Sequence, residues 1–473
     1  MRRNAMLAGL LALALVAPAV SAATQPEPCN TPECTSNAAF ADTHEFMLRN
    51  GMKVIVKEDH RAPVVVQQVW YKVGSSYEHG GITGISHVLE HMMFKGTSRF
   101  PNGTFSEIIA EQGGRENAFT SRDYTAYYQV LAADRLEIAM RLEADRMRNL
   151  LMKEDDFQRE RAVVQEERRL RTEDNPSALT YERFQATAYL NSPYGDPVIG
   201  WMEDLESLTL DDLKAWYRRW YAPNNATLVV VGDVDPDEVL HLARRYYGRI
   251  EAGEVEPPKP RPEVPQHGER RITVKAPAEL PYVLLGYKVP VVMTAEEAWE
   301  PYALEVLAGI LDGGSSARLS RNLVREREIV ASAGAGYNAA ARLQGLLMLD
   351  GTPAPGHDRA EVEKALREEV EKLRTRPVTA EELERVKAQV VAQEIYQRDS
   401  IQHQAMTLGA LETVGLGWRL AADYAERIRA VTPEQVQAVA QKYLIADHLT
   451  VAHLDPQPID PANPPSNFQG HLR

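Results

Sequence analysis

The sequence predicts an α+β protein: two tandem duplicated α/β-sandwich domains, each a mixed or antiparallel sheet packed with helices, joined by a linker. Three observations carry this expectation. A hairpin signature near the start leads into a strand, a Gly-rich loop and an amphipathic helix. A stretch rich in Pro, Glu and Gly then interrupts the chain near its middle. After it the same pattern restarts in the same order.

Residues 1–22 read as a secretory signal peptide. Arg2 and Arg3 precede an apolar run over 6–16, then Pro18, and Val20-Ser21-Ala22 supplies a cleavage point after Ala22. The apolar run is short for a bilayer span, and no later stretch approaches one, so the mature chain is expected in the periplasm or secreted, without a membrane span. Residues 23–42 form a Pro-rich N-terminal tail. It holds Cys29 and Cys34, the only two cysteines, which an oxidising compartment would allow to close a small local loop.

The first domain is expected over 43–250. Phe46-Met47-Leu48 and Val54-Ile55-Val56 flank Asn50-Gly51, the pair favoured in type I′ hairpin turns, and a second strand covers 64–73. Residues 251–268 carry almost no large apolar side chains and read as a linker. The second domain is expected over 269–457, followed by a C-terminal tail, 458–473. Tyr71-Lys72-Val73 returns as Tyr287-Lys288-Val289, 216 residues on. Leu208-Thr209 with Leu213 and Trp220 returns as Val431-Thr432 with Val436 and Tyr443, 223 residues on, and the strands that follow keep that spacing. A repeat this long means duplicated domains, since solenoid units run to about 20–50 residues.

The chain has 473 residues, with 53 basic against 67 acidic side chains for a formal charge of −14. With 44% hydrophobic and 25% charged residues it matches soluble globular proteins, which excludes disorder or a disulfide scaffold for the whole. The acidic balance argues against nucleic acid as a partner.

The chemistry lies just after the Gly-rich loop. Ile85, Val88, Leu89, Met92 and Met93 fall at i, i+3, i+4, i+7 and i+8, a core-facing helical stripe. His87, Glu90 and His91 occupy another face at i, i+3 and i+4. Two imidazoles one turn apart can reach one metal ion, and zinc favours such nitrogen ligands. Glu90 between them is placed to take a proton from water. The competing reading is a solvated face with two histidines. A third donor comes from a charge-rich helical segment over 157–171, where Glu160, Val163, Val164 and Glu167 share one stripe. A carboxylate on an apolar stripe is costly unless paired or metal-bound. Glu166 lies about 100° round the helix, so Glu167 is assigned as ligand and Glu160 as its support. Pairing of these acids with the surrounding arginines is the alternative.

His87-Val88-Leu89-Glu90-His91, with Glu167 far downstream, resembles the inverted zincin motif HxxEH of the pitrilysin family, above all the β-type subunits of mitochondrial processing peptidase and their bacterial relatives. Phe94-Lys95-Gly96-Thr97, Asn117-Ala118-Phe119-Thr120 and Arg122-Asp123-Tyr124-Thr125 extend the resemblance, which covers nearly all of the mature chain. It implies a zinc metalloendopeptidase whose repeated α+β domains form half of a clamshell chamber. His87, His91 and Glu167 would hold one Zn2+ per chain, Glu90 would be the general base, and Glu160 would orient a histidine. Asn117, Ala118, Phe119 and Thr120 would form the sheet edge onto which a peptide substrate adds as a strand; an ordinary edge strand kept soluble by polar residues is the alternative.

The second half departs from the pattern. The positions 216 beyond the motif are Ala303, Val306 and Leu307, which cannot bind metal. The Arg and Tyr that the family often supplies from its inactive half align with Val324 and Ala331, or with Arg325 and Ser332; Tyr337 lies too far along. The resemblance therefore implies a catalytic subunit that borrows these contacts from a related non-catalytic partner, or a homodimer. The rival from another class is a binding or assembly subunit of the same fold, and metal content separates the two. A serine or cysteine hydrolase is set aside, because the cysteines sit in the tail and no Gly-x-Ser-x-Gly elbow stands between a strand and a helix.

Overall fold

The computed structural model describes residues 42–459, apart from residue 102. The segment expected to be a signal peptide, Cys29, Cys34 and nearly all of both expected tails lie outside the described residues.

The first hairpin forms where the Asn-Gly pair places it, but with another turn. Strand β1 (Thr43–Met47) runs antiparallel to β2 (Lys53–Glu58), with Met47 opposite Lys53. Leu48 N–H bonds Met52 O at 2.9 Å and Gly51 N–H bonds Leu48 O at 3.0 Å. Gly51 has φ 85, whereas Asn50 is not in the left-handed region. A type I′ turn needs positive φ at both central residues; this is the three-residue loop that ends on a left-handed glycine. Asn50 is held instead by its side chain, whose Nδ2 donates to Tyr247 O and Ile250 O.

Four further strands complete the first sheet: β3 (Val64–Tyr71), β4 (Arg115–Thr120), β5 (Thr125–Ala132) and β6 (Ala226–Gly232), in the order β1-β2-β6-β3-β5-β4. The second sheet contains β7 (Arg270–Pro277), β8 (Tyr282–Val289), β9 (Val330–Gly336), β10 (Gly345–Pro353) and β11 (Leu449–Gln457), in the order β7-β11-β8-β10-β9. Without β1 the two orders are the same. In each the outer pair, β2/β6 or β7/β11, is parallel and the remaining pairs are antiparallel. The duplication extends to helix caps. Thr209 closes a capping box with Asp212 at the start of the Leu210–Trp220 helix, and Thr432 does so with Gln435 before Pro433–Tyr443.

The halves are not packed independently. β6 reads as a nearly continuous apolar run, β3 is interrupted only by Gln67 and Gln68, and both are buried along nearly their whole length, as strands covered on both faces are. One cover is the Ile401–Thr413 helix, which belongs to the second half of the sequence. It approaches so closely that a Cβ on Gly409 would stand 2.1 Å from the Trp70 ring. In return, the Pro176–Ala188 helix of the first half packs on β7 and β11, where Phe184 and Ala188 join Leu284, Leu346 and Ala452 in one buried cluster. Residues 251–268 have no regular structure but are tethered: the Glu263 carboxylate accepts the amides of Leu190, Asn191 and Ser192 and pairs with Lys288. No helix among the described residues is long and apolar enough to cross a membrane.

Candidate metal centre

The motif folds as the two-turn helix Ile85–Met92. Ile85, Val88, Leu89 and Met92 are fully buried, which leaves His87, Glu90 and His91 on the less covered face. The two imidazole rings lie 5.0 Å apart and nearly perpendicular. The helix packs against Glu154–Arg168, which ends in a π turn over Arg169–Glu173 directly beyond Glu167.

The stripe on this second helix differs from the expected one. Val164 is fully buried, but Val163 is 48% exposed. The covered face runs through Phe157, Val164 and Arg168, with Glu160 and Glu167 beside it. Glu166 points to solvent and pairs with Arg169.

Glu167 Oε2 stands 3.4 Å from His91 Nε2 and 3.8 Å from His87 Nε2. Donors at zinc-ligand distances in a tetrahedral arrangement are separated by about 3.3 Å, so the spacing fits one small ion. Among the described residues these three are the group whose donor atoms all fall within 4.8 Å of one another. His87 Nδ1 is buried without a hydrogen-bond partner. Burial and the neighbouring His91 pull the His87 pKa down to about 4, so its ring is neutral and free to donate a lone pair. Burial works against the charged form of His91 as well, but Glu167, Glu90 and Glu160 outweigh it and raise its pKa. Burial would raise the Glu167 pKa; His91, His87 and Arg171 hold it below its usual value.

Glu160 Oε2 meets His91 Nδ1 at 3.2 Å, which turns the other ring nitrogen toward Glu167. Glu90 Oε2 accepts the Thr120 hydroxyl at 2.5 Å, and burial, partly offset by that bond, raises the Glu90 pKa. Two contacts were not anticipated from the sequence, Thr120 on Glu90 and Lys95 Nζ on Glu160 Oε1 at 2.5 Å; the arginine pairing weighed as the alternative is present as well, with Arg171 on Glu167 Oε1 at 2.6 Å. The i, i+4 spacing of Glu167 and Arg171 was a legible signal for the last.

Residues Asn117 to Thr120 lie on β4, which ends the sheet and pairs with β5 alone. Asn117 is exposed and its Oδ1 takes the Ala118 amide at 2.9 Å; Ala118 is buried, and Phe119 packs edge-on against Trp70 and Tyr124. In the second half, Ala303, Val306 and Leu307 are fully buried in the Glu300–Asp312 helix. The Tyr337 hydroxyl is used internally, on Pro290 O.

A family model described as Insulinase (Peptidase family M16) matches residues 53–200, and one described as Peptidase M16 inactive domain matches 207–390. The zinc protease PqqE of Helicobacter pylori is 34% identical over 354 residues, 74% of this chain and 79% of the relative. The chain belongs to the M16 peptidase family. An uncharacterized zinc protease of Rickettsia felis is 27% identical over 407 residues, 86% of this chain and 93% of its own. The crystal structure of a protease from Helicobacter pylori superposes on the M16 chain with a TM-score of 0.83 at 31% identity, covering 88% of this chain and 99% of that one. The periplasmic protease PqqL from Escherichia coli shares the fold, with a TM-score of 0.75 at 20% identity over 89% of this chain and 49% of PqqL. The resemblance to the pitrilysin family read from the motif is thus borne out, as is the α+β architecture of two helix-packed sheets. Relatives named zinc proteases agree with a metallopeptidase donor set of two imidazoles and a carboxylate.

Proposed function

We propose that this M16 chain is an exported zinc endopeptidase acting on peptides or unfolded polypeptide segments. One observation carries the reading: His87, His91 and Glu167 converge within reach of one ion while Glu90 stands between the two histidines on the same helix face. Those three residues would hold a zinc ion, which would supply Lewis acidity at the site.

The protein's own groups do the rest. Glu90, with Oε2 held by Thr120, would accept a proton from water and return it to the departing amine. Burial raises its basicity, which suits that exchange. Glu160 fixes the His91 ring through Nδ1. The free edge of β4 ends at Thr120, beside Glu90, and offers backbone groups to an extended peptide, so recognition reads main chain more than side chain.

Export is supported by the charged, apolar and small-residue pattern of residues 1–22. The tyrosine that the second half lacks in either alignment supports a two-chain enzyme in which this chain is the catalytic subunit; a related non-catalytic chain would supply the Arg and Tyr contacts. Peptide cleavage by the purified chain, with and without candidate partners, tests the proposal. Chelator should abolish turnover and zinc restore it, and Glu90→Gln should keep the metal but lose hydrolysis. Turnover that survives Glu90→Gln refutes the base. Full rate from the single chain refutes the need for a partner.

A further inference from the structure

Glu78 is a carboxylate with no evident reason to be where it is. It is 4% exposed, and its oxygens accept the amides of Gly84 at 2.7 Å and Ser86 at 2.9 Å. These are the N-cap and an early amide of the Ile85–Met92 helix, groups that a helix leaves without internal partners. Asp196, a nearby acid, opposes its ionisation. Burial pushes its pKa up to about 7 despite the two amides and the Ser86 hydroxyl. A buried carboxylate held without a cation costs stability.

Both sides of this contact are pinned. On the side of Glu78, the short turn Ser75–Tyr77 is bonded to the loop beyond β4: Ser75 N–H to Ser121 O at 3.2 Å, and Ser76 N–H to Arg122 O at 2.8 Å. Arg342, from the second half of the chain, donates to Ser76 Oγ at 2.7 Å and to Asp123 Oδ1 at 3.1 Å. On the helix side, Ser86 immediately precedes His87, and the helix is only 8 residues long. A shift of its first turn would reach His87 and Glu90 without being absorbed.

We propose that Glu78 is a positioning residue: its carboxylate locks the first turn of the His87-Glu90-His91 helix to the loop that follows β4, keeping metal donors, base and strand edge in register. The assignment rests on the zinc reading above. It is distinct from catalysis proper, because the Glu78 carboxylate bonds the Gly84 and Ser86 amides rather than the metal donors or Glu90.

The test is zinc affinity, measured by competition with a chromophoric chelator, alongside the melting temperature of the metal-free protein. Glu78→Gln is expected to weaken zinc about tenfold or more, in line with the loss of an orienting contact. It should lower kcat with little change in KM, while the metal-free melting temperature holds or rises because a buried charge is gone. Glu78→Asp, which keeps the charge but shortens its reach, should fall between. Zinc affinity within twofold of wild type in folded Glu78→Gln, or weaker in Glu78→Asp than in Glu78→Gln, overturns the assignment, and so does a failure of both variants to fold. Wild-type protein that takes up no zinc overturns the metal reading itself.

Discussion

Lys95 Nζ stands 2.5 Å from Glu160 Oε1, while the other oxygen of that carboxylate faces His91 Nδ1 at 3.2 Å. The two contacts form a chain from a half-exposed ammonium to an imidazole at the candidate centre. The lysine fixes the rotation of the carboxylate, and the carboxylate fixes the ring. Zinc affinity is therefore expected to fall about 10–100-fold in Glu160→Gln and by less in Lys95→Met. Chelator competition on both variants measures this. Equal affinity in all three proteins would show that the carboxylate does not orient the ring.

The exchange of helices between the halves makes Gly409 a sensitive position. A methyl there would overlap the fully buried Trp70 ring at 2.1 Å. Gly409→Ala should destabilise the protein by about 1–3 kcal/mol, the usual range for overpacking. Because the helix that carries Gly409 belongs to one half and covers the sheet of the other, both halves should lose stability together. Chemical denaturation followed by separate probes in each half would check this; loss confined to the second half would contradict it.

Glu363 joins the helix Arg359–Thr375 to the second sheet. It takes hydrogen bonds from Arg271 at 2.7 and 2.8 Å and from Arg367 Nε at 2.9 Å, and lies 2.8 Å from His453 Nε2. Burial alone would raise its pKa, but Arg271, His453 and Arg367 hold it far below the usual carboxylate value. A depressed folded pKa gives stability that is fully present above the unfolded value of about 4.3 and is lost as pH falls toward the folded one. Glu363→Gln should therefore melt lower than wild type at pH 7 and show a shallower loss between pH 5 and pH 3. Parallel slopes for the two proteins would contradict the linkage.

Much of this was written in local pattern. The motif His87, Glu90 and His91 needs only helical spacing to share a face, and the Thr209 and Thr432 caps announce their helices in both repeats. Glu167 was reached for a partly mistaken reason, since Val163, taken as part of its apolar stripe, is solvent-exposed. The carboxylate itself still sits where its partners on the facing helix place it. The Asn50-Gly51 hairpin was placed correctly and its turn type was not, because Asn50 is held by distant carbonyls that no local preference reveals. The exchanged helices, the Arg342 contact and the Lys95–Glu160 pair all join residues far apart in sequence. Nothing in a single sequence encodes such partners as a period or a spacing.

The central claim is that two imidazoles and one distant carboxylate form a single zinc site. Metal content of the purified protein by elemental analysis, for wild type, His87→Ala and Glu167→Gln, tests it most directly. About one zinc per wild-type chain is expected, with the content of both variants falling well below it. Wild-type protein without stoichiometric zinc after reconstitution, or variants that retain it, would contradict the account.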